Sequence, residues 1–77
     1  LNYINMGLVV NDILEKITDS HFVGEKFRIV RLKNISGNVH AYIVNIKDEK
    51  TEFMVALSVL EDVKRFKVVN KSGKVLI

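Results

Sequence analysis

The chain has 77 residues, 12 Lys and Arg against 9 Asp and Glu, a net charge of +3, an isoelectric point near 9.3, and neither cysteine nor proline. That length allows one domain, and the lack of cysteine excludes disulfides and thiolate metal sites. A chain this short buries roughly 60% of its unfolded surface, so a hydrophobic content of 48% implies either a dense core or apolar surface kept for a partner.

Residues 1–7 are expected to form a flexible or upstream N-terminal segment, with Met6 a candidate start. The domain is expected to span residues 8–77. No apolar run reaches the ~18 residues of a membrane span, and no basic region followed by an apolar block marks a signal peptide. A cytoplasmic protein without membrane contact is the expectation.

Residues 8–17 (LVVNDILEKI) admit two readings. Val9, Val10, Ile13, Leu14 and Ile17 fall on one helical stripe, which predicts a helix over 8–18. Asn11-Asp12 is a turn-forming pair, which predicts strand, turn and strand instead. Residues 18–25 form a loop, with Phe22 and Val23 expected to tuck beneath it. Lys26 to Lys33 is a strand, with Phe27 and Ile29 on one side and Lys26 and Arg28 on the other. Its alternation slips at Val30-Arg31-Leu32, as a β-bulge would produce. Asn34 to Asn38 is a turn, with Gly37-Asn38 suited to positive φ. Val39 to Ile46 is nearly all apolar and reads as a central strand buried on both faces.

Lys47 to Lys50 is a polar turn. Thr51 to Leu57 is a further strand, with Phe53, Val55 and Leu57 toward the core. Ser58-Val59-Leu60-Glu61 matches a capping box and predicts a two-turn helix near 58–65, its C-terminal end carrying Lys64 and Arg65. Lys67 to Ile77 reads as a hairpin turning at Asn70 to Gly73. The fold class is mainly β: a small SH3-like barrel or meander with one short helix. The α+β arrangement opening with helix 8–18 is the alternative.

No catalytic constellation is present. Ser20 and His21 are neighbours in a loop, which does not set a hydroxyl on an imidazole. His40 reads as a half-buried strand residue beside Tyr42. Asp12, Glu15 and Asp19 would share a helical face but lack the glycine or histidine of a metal motif. No cofactor and no metal are expected. The basic residues carry the one positive signal. Lys26, Arg28, Arg31 and Lys33 on a strand, with Lys64, Arg65 and Lys67, are placed to follow a DNA phosphate backbone, with Tyr42 and Tyr3 the aromatics nearest to join them. Protein binding or self-association through an open edge at Val75–Ile77 is the other partner reading.

The order of features resembles a family. Val9 to Glu15 (VNDILE after an apolar residue), Gly24 to Val30 (GEKFRIV), the apolar strand and acidic turn from Tyr42 to Glu49, and Leu57 to Val63 (LSVLEDV) look like the extreme N-terminal module of DDE transposases of heteromeric cut-and-paste transposons. The resemblance covers residues 8–70 and implies a non-catalytic accessory module that binds transposon ends or helps assemble the complex. No catalytic residue transfers to this chain. The loop from Thr18 to Val23 departs from the pattern by its length. A small protein-interaction or oligomerisation module, or a free-standing phage- or plasmid-type regulator, is the alternative function.

Overall fold

A computed structural model describes residue 5 and residues 7–72. Five strands and one helix follow in chain order: β1 Ile13–Lys16, β2 Lys26–Ile35, β3 Asn38–Asn45, β4 Asp48–Ala56, α1 Leu57–Glu61 and β5 Phe66–Asn70. They form one antiparallel sheet in the order β4-β3-β2-β1-β5. The mainly β meander with a single short late helix is therefore the observed architecture. The closed barrel is not: among the described residues β4 and β5 are the two edges and do not pair with each other.

The N-terminal helix is replaced by a turn and a strand. Asn11 has φ +77°, which no helix tolerates. Asp12 accepts the Val9 N–H on Oδ2 at 2.8 Å, a local bond that competes with helix formation. Val9, Val10 and Ile17 are about two-fifths exposed, so the stripe that suggested a helix is not a buried face. Leu8 to Val10 is not a strand either.

β2 keeps the expected alternation, with Ile29 fully buried and Phe27 against the core. The slip at Val30 is a bulge: Ile29 pairs with Ile43, and the next pair is Arg31 with Tyr42. The β2–β3 turn is tighter than expected. Ser36 and Gly37 alone turn the chain, at φ +52° and +85°, a primed turn matching the strand twist. Asn34 Oδ1 holds it by accepting the Gly37 N–H at 2.9 Å. The β3–β4 turn is Ile46-Lys47 rather than Lys47 to Lys50. A register irregularity follows, between the Asn45–Asp48 and Val44–Glu52 pairs.

β3 is an interior strand, but its two faces differ. Ala41, Ile43 and Val44 are buried, Tyr42 is half-buried and Val39 is exposed. The helix is shorter than expected, at Leu57–Glu61, and its N-cap is Ala56 with no side-chain cap bond. Ser58 lies inside the first turn, so the capping box does not form. Lys64 and Arg65 fall beyond the helix, in the turn before β5. The core is Leu8, Leu14, Ile29, Ala41, Ile43, Leu60 and Phe66, with Phe27, Val55, Leu57, Val59 and Val68 packed around it. Val75–Ile77 lies outside the described residues.

Two polar side chains hold this core in place. Asn5 is fully buried, and its Nδ2 donates to the Leu60 carbonyl at 3.1 Å and the Phe66 carbonyl at 2.7 Å. It thus ties the helix end to the start of β5. Asp12 is also fully buried. Its carboxylate accepts Val9 N–H, Ser72 N–H at 2.7 Å and the Lys71 ammonium. Asp12, Glu15 and Asp19 therefore do not share a helical face, since Glu15 lies on β1 and Asp12 is buried before it. Asp12 clamps the entry to β1 against the exit of β5.

Candidate functional site

Two surfaces bear on function: the outer face of the sheet and the open groove on its inner face. The pairing places the basic residues. Ile13 and Glu15 of β1 lie opposite Arg28 and Lys26, and Glu15 also lies opposite Lys67. Arg28, Arg31 and Lys33 lie opposite Val44, Tyr42 and His40. Successive alternate residues share a face, so Lys26, Arg28, Arg31, Lys33 and Lys67 all stand on the outer face. The bulge at Val30 makes this possible, because it returns Arg31 to the side of Arg28. Lys64 and Arg65 are not brought to this face.

The same face carries acids that neutralise much of that charge. Arg28 pairs with Glu49 and also donates to Asn11 Oδ1 at 3.1 Å. Arg31 donates to Glu52 Oε1 at 2.9 Å and lies over the Tyr42 ring at 4.1 Å from its centroid. Lys26 Nζ is 3.9 Å from Glu15 Oε1. Away from the face, Arg65 pairs with Asp62 at 3.3 Å. Among the described residues, Lys33, Lys64 and Lys67 are the predicted phosphate contacts left without an ion pair. Three of the five outer-face cations thus already have a carboxylate. Such exposed pairs contribute only ~0–1 kcal/mol each to stability, yet they displace the phosphate a free cation would seek.

The inner face is open on one side. Between β4 and the β1–β5 edge lies a groove of about 440 Å³, lined chiefly by Phe27, Ile43, Phe53, Val55 and Phe66. Phe27 and Phe66 meet edge to face, their centroids 6.4 Å apart. Phe53 was expected to be a core residue and is instead 49% exposed at the groove mouth. The missing closure of the barrel explains it, since among the described residues no strand crosses to cover that ring. Met54, next along β4 and on the outer face, is 52% exposed.

The edge of β4 also offers backbone groups. Ile35 and Asn38 flank a two-residue turn and so form its closing hydrogen-bonded pair. Alternation then directs Ala41 and Ile43 of β3 toward β4, where they meet Val55 and Phe53. Glu52 and Met54 consequently point their N–H and C=O groups outward, as does the Ala56 N–H, while the Ala56 carbonyl, at the N-cap, belongs to α1. Outside the pairing with β3 and the cap of α1 at Ala56, no described turn or loop backbone hydrogen bond involves β4.

Loop residues Phe22 and Val23 do not tuck in; they are 82% and 70% exposed. Ser20 Oγ accepts the Phe22 N–H at 3.2 Å rather than meeting His21. His40 is half-buried, with Nδ1 3.0 Å from the Asn38 carbonyl. Among the described residues no three His, Asp or Glu side chains gather as a metal site, and no helix is long and apolar enough to cross a membrane. No family model matches the chain, and no curated protein or solved structure matches it.

Proposed function

We propose that this domain is a non-catalytic protein-interaction module that takes up an extended segment along the edge of β4, with apolar side chains entering the groove beside it. The carrying observation is the coincidence of three features on one strand. β4 presents outward-facing amides at Glu52, Met54 and Ala56, an exposed aromatic at Phe53, and an apolar groove directly behind that ring. Main-chain pairing supplies affinity in such a mode, and pockets for alternate side chains supply selectivity. The resemblance to a transposase N-terminal module implies end binding or complex assembly; this geometry favours assembly. The neutralised outer face speaks against the phosphate backbone as the main partner.

Selection of extended peptides from a displayed library, followed by amide chemical-shift mapping, tests this reading. Binders should alternate apolar and polar residues. They should perturb Glu52, Met54 and Ala56 together with Phe27 and Phe66, and Phe53→Lys should abolish binding. Binders that leave β4 unperturbed, or a selection without binders, would overturn it.

A further inference from the structure

Resting on the reading of β4 as the interaction edge, we infer that its natural occupant is β4 of a second copy of this chain, paired antiparallel across a two-fold axis at Phe53. The argument is one of register. A two-fold pairing of a strand with itself needs the outward-facing amides of one copy to meet those of the other. With the axis at Phe53, Glu52 lies opposite Met54 of the second copy, and both carry outward amides. The two Phe53 rings then occupy a non-hydrogen-bonded site, where cross-strand side chains approach most closely and aromatic pairs contribute most. Thr51 lies opposite Val55 of the second copy, on the groove side. The two grooves become continuous, and the half-exposed Phe53 of each copy is covered.

Avoidance of like charge and the matching of side chains across the pair select this register over its neighbours. An axis at Glu52 sets two carboxylates directly opposite each other, which is destabilising. An axis at Thr51 sets Phe53 opposite Glu49 of the second copy. An axis at Met54 sets Thr51 opposite Leu57 of the second copy, where α1 has already begun. With the axis at Phe53, the two Glu52 carboxylates are diagonal neighbours, and each is already held by Arg31 at 2.9 Å. Two arginines and two glutamates surround the axis with no net charge. Lys50 lies opposite Ala56 of the second copy, so no like charges face each other.

Sedimentation equilibrium over a range of concentrations, combined with single-cysteine crosslinking, tests the inference. The wild-type chain has no cysteine, so Thr51→Cys, Glu52→Cys, Phe53→Cys and Met54→Cys each report one register. A non-hydrogen-bonded pair sets Cα atoms ~4.5 Å apart, within disulfide reach. The expected result is a monomer–dimer equilibrium, with oxidation giving covalent dimer several-fold faster for Phe53→Cys than for the other three. Met54→Pro removes an outward N–H without touching the β3 ladder, and should leave a folded monomer by circular dichroism. Arg31→Glu should weaken the dimer at least tenfold. A strict monomer at all concentrations, fastest crosslinking at another position, or an undiminished dimer in Met54→Pro would overturn the inference. A monomer that still binds selected peptides on β4 would sink the self-pairing alone and leave the interaction edge standing.

Discussion

Replacing Asp12 with alanine should destabilise the domain measurably. The carboxylate is fully buried and accepts three donors: Val9 N–H at 2.8 Å, Ser72 N–H at 2.7 Å and the Lys71 ammonium. Alanine leaves the two backbone donors without their acceptor, at about 1–3 kcal/mol each. The Lys71 side chain is 36% exposed and can return to water, so its pairing adds under ~1 kcal/mol. The sum is ~2–7 kcal/mol. A chain of 77 residues has a total stability of about 4–12 kcal/mol at ordinary per-residue values. Asp12→Ala should therefore remove about a sixth of the stability or more. Asp12→Asn keeps one acceptor oxygen and should lose ~1–3 kcal/mol. Urea unfolding followed by circular dichroism measures both, with an unchanged m-value confirming that the same surface unfolds. A loss below ~1 kcal/mol for Asp12→Ala would refute the view that this carboxylate clamps β1 to the exit of β5.

Gly24→Ala should destabilise by ~1–3 kcal/mol in thermal melts, because the added Cβ would fall 1.7 Å from the Lys16 carbonyl oxygen; an unchanged melting temperature would show that this approach is not held. Leu60→Ala empties a fully buried position of α1 and should lose ~2–5 kcal/mol in urea titration. Ser58→Ala should change stability by less than ~0.5 kcal/mol, since the N-cap is Ala56; a loss near 1 kcal/mol would restore the capping box. Binding to duplex DNA, followed by fluorescence anisotropy across salt, should be feeble in the wild type. It should rise in Glu49→Gln/Glu52→Gln, with a salt slope steeper by ~2, as Arg28 and Arg31 become free for phosphate. Tight wild-type binding that disappears in Arg28→Ala/Arg31→Ala would contradict the neutralised outer face.

Local signals were legible where a single physical cause acted. The interrupted alternation at Val30 marked a bulge because a strand keeps period two unless a residue is added. The late helix was legible from Ser58-Val59-Leu60-Glu61, though its boundaries were not, because Ala56 took the cap that Ser58 suggested. Asn34, Asn45, Asp48 and Asp62 each accept a backbone N–H two or three residues on. That rhythm of Asn and Asp would have placed the turns more closely than glycine did. The role of Asp12 was not legible, because its partners Lys71 and Ser72 lie some 60 residues away. The basic strand was read correctly as an outer face. Its neutralisation was not, since Arg28 and Arg31 meet acids 21 residues further on, and only the register of β2, β3 and β4 makes them neighbours.

That register also explains why β4 is open in one half and guarded in the other. Edge strands are commonly protected by charge, by bulges or by brevity. The first half of β4 has two of these. Asp48, Glu49 and Lys50 crowd it with charge, and the irregular pairing between Val44 and Asn45 breaks its line. From Glu52 to Ala56 the pairing with β3 is regular, one residue for one, and Phe53 and Met54 stand half-exposed on opposite faces. A surface selected only against aggregation would carry a charge at one of those positions. The flat stretch is also bounded, since Leu57 turns into α1 and removes the edge after five residues. A segment pairing there gains a short ladder with an aromatic at its centre and then meets either the helix or the charged half. A strand pairing on such an edge would have its register bounded at both ends, and the groove behind Phe53 would give it somewhere to put its side chains.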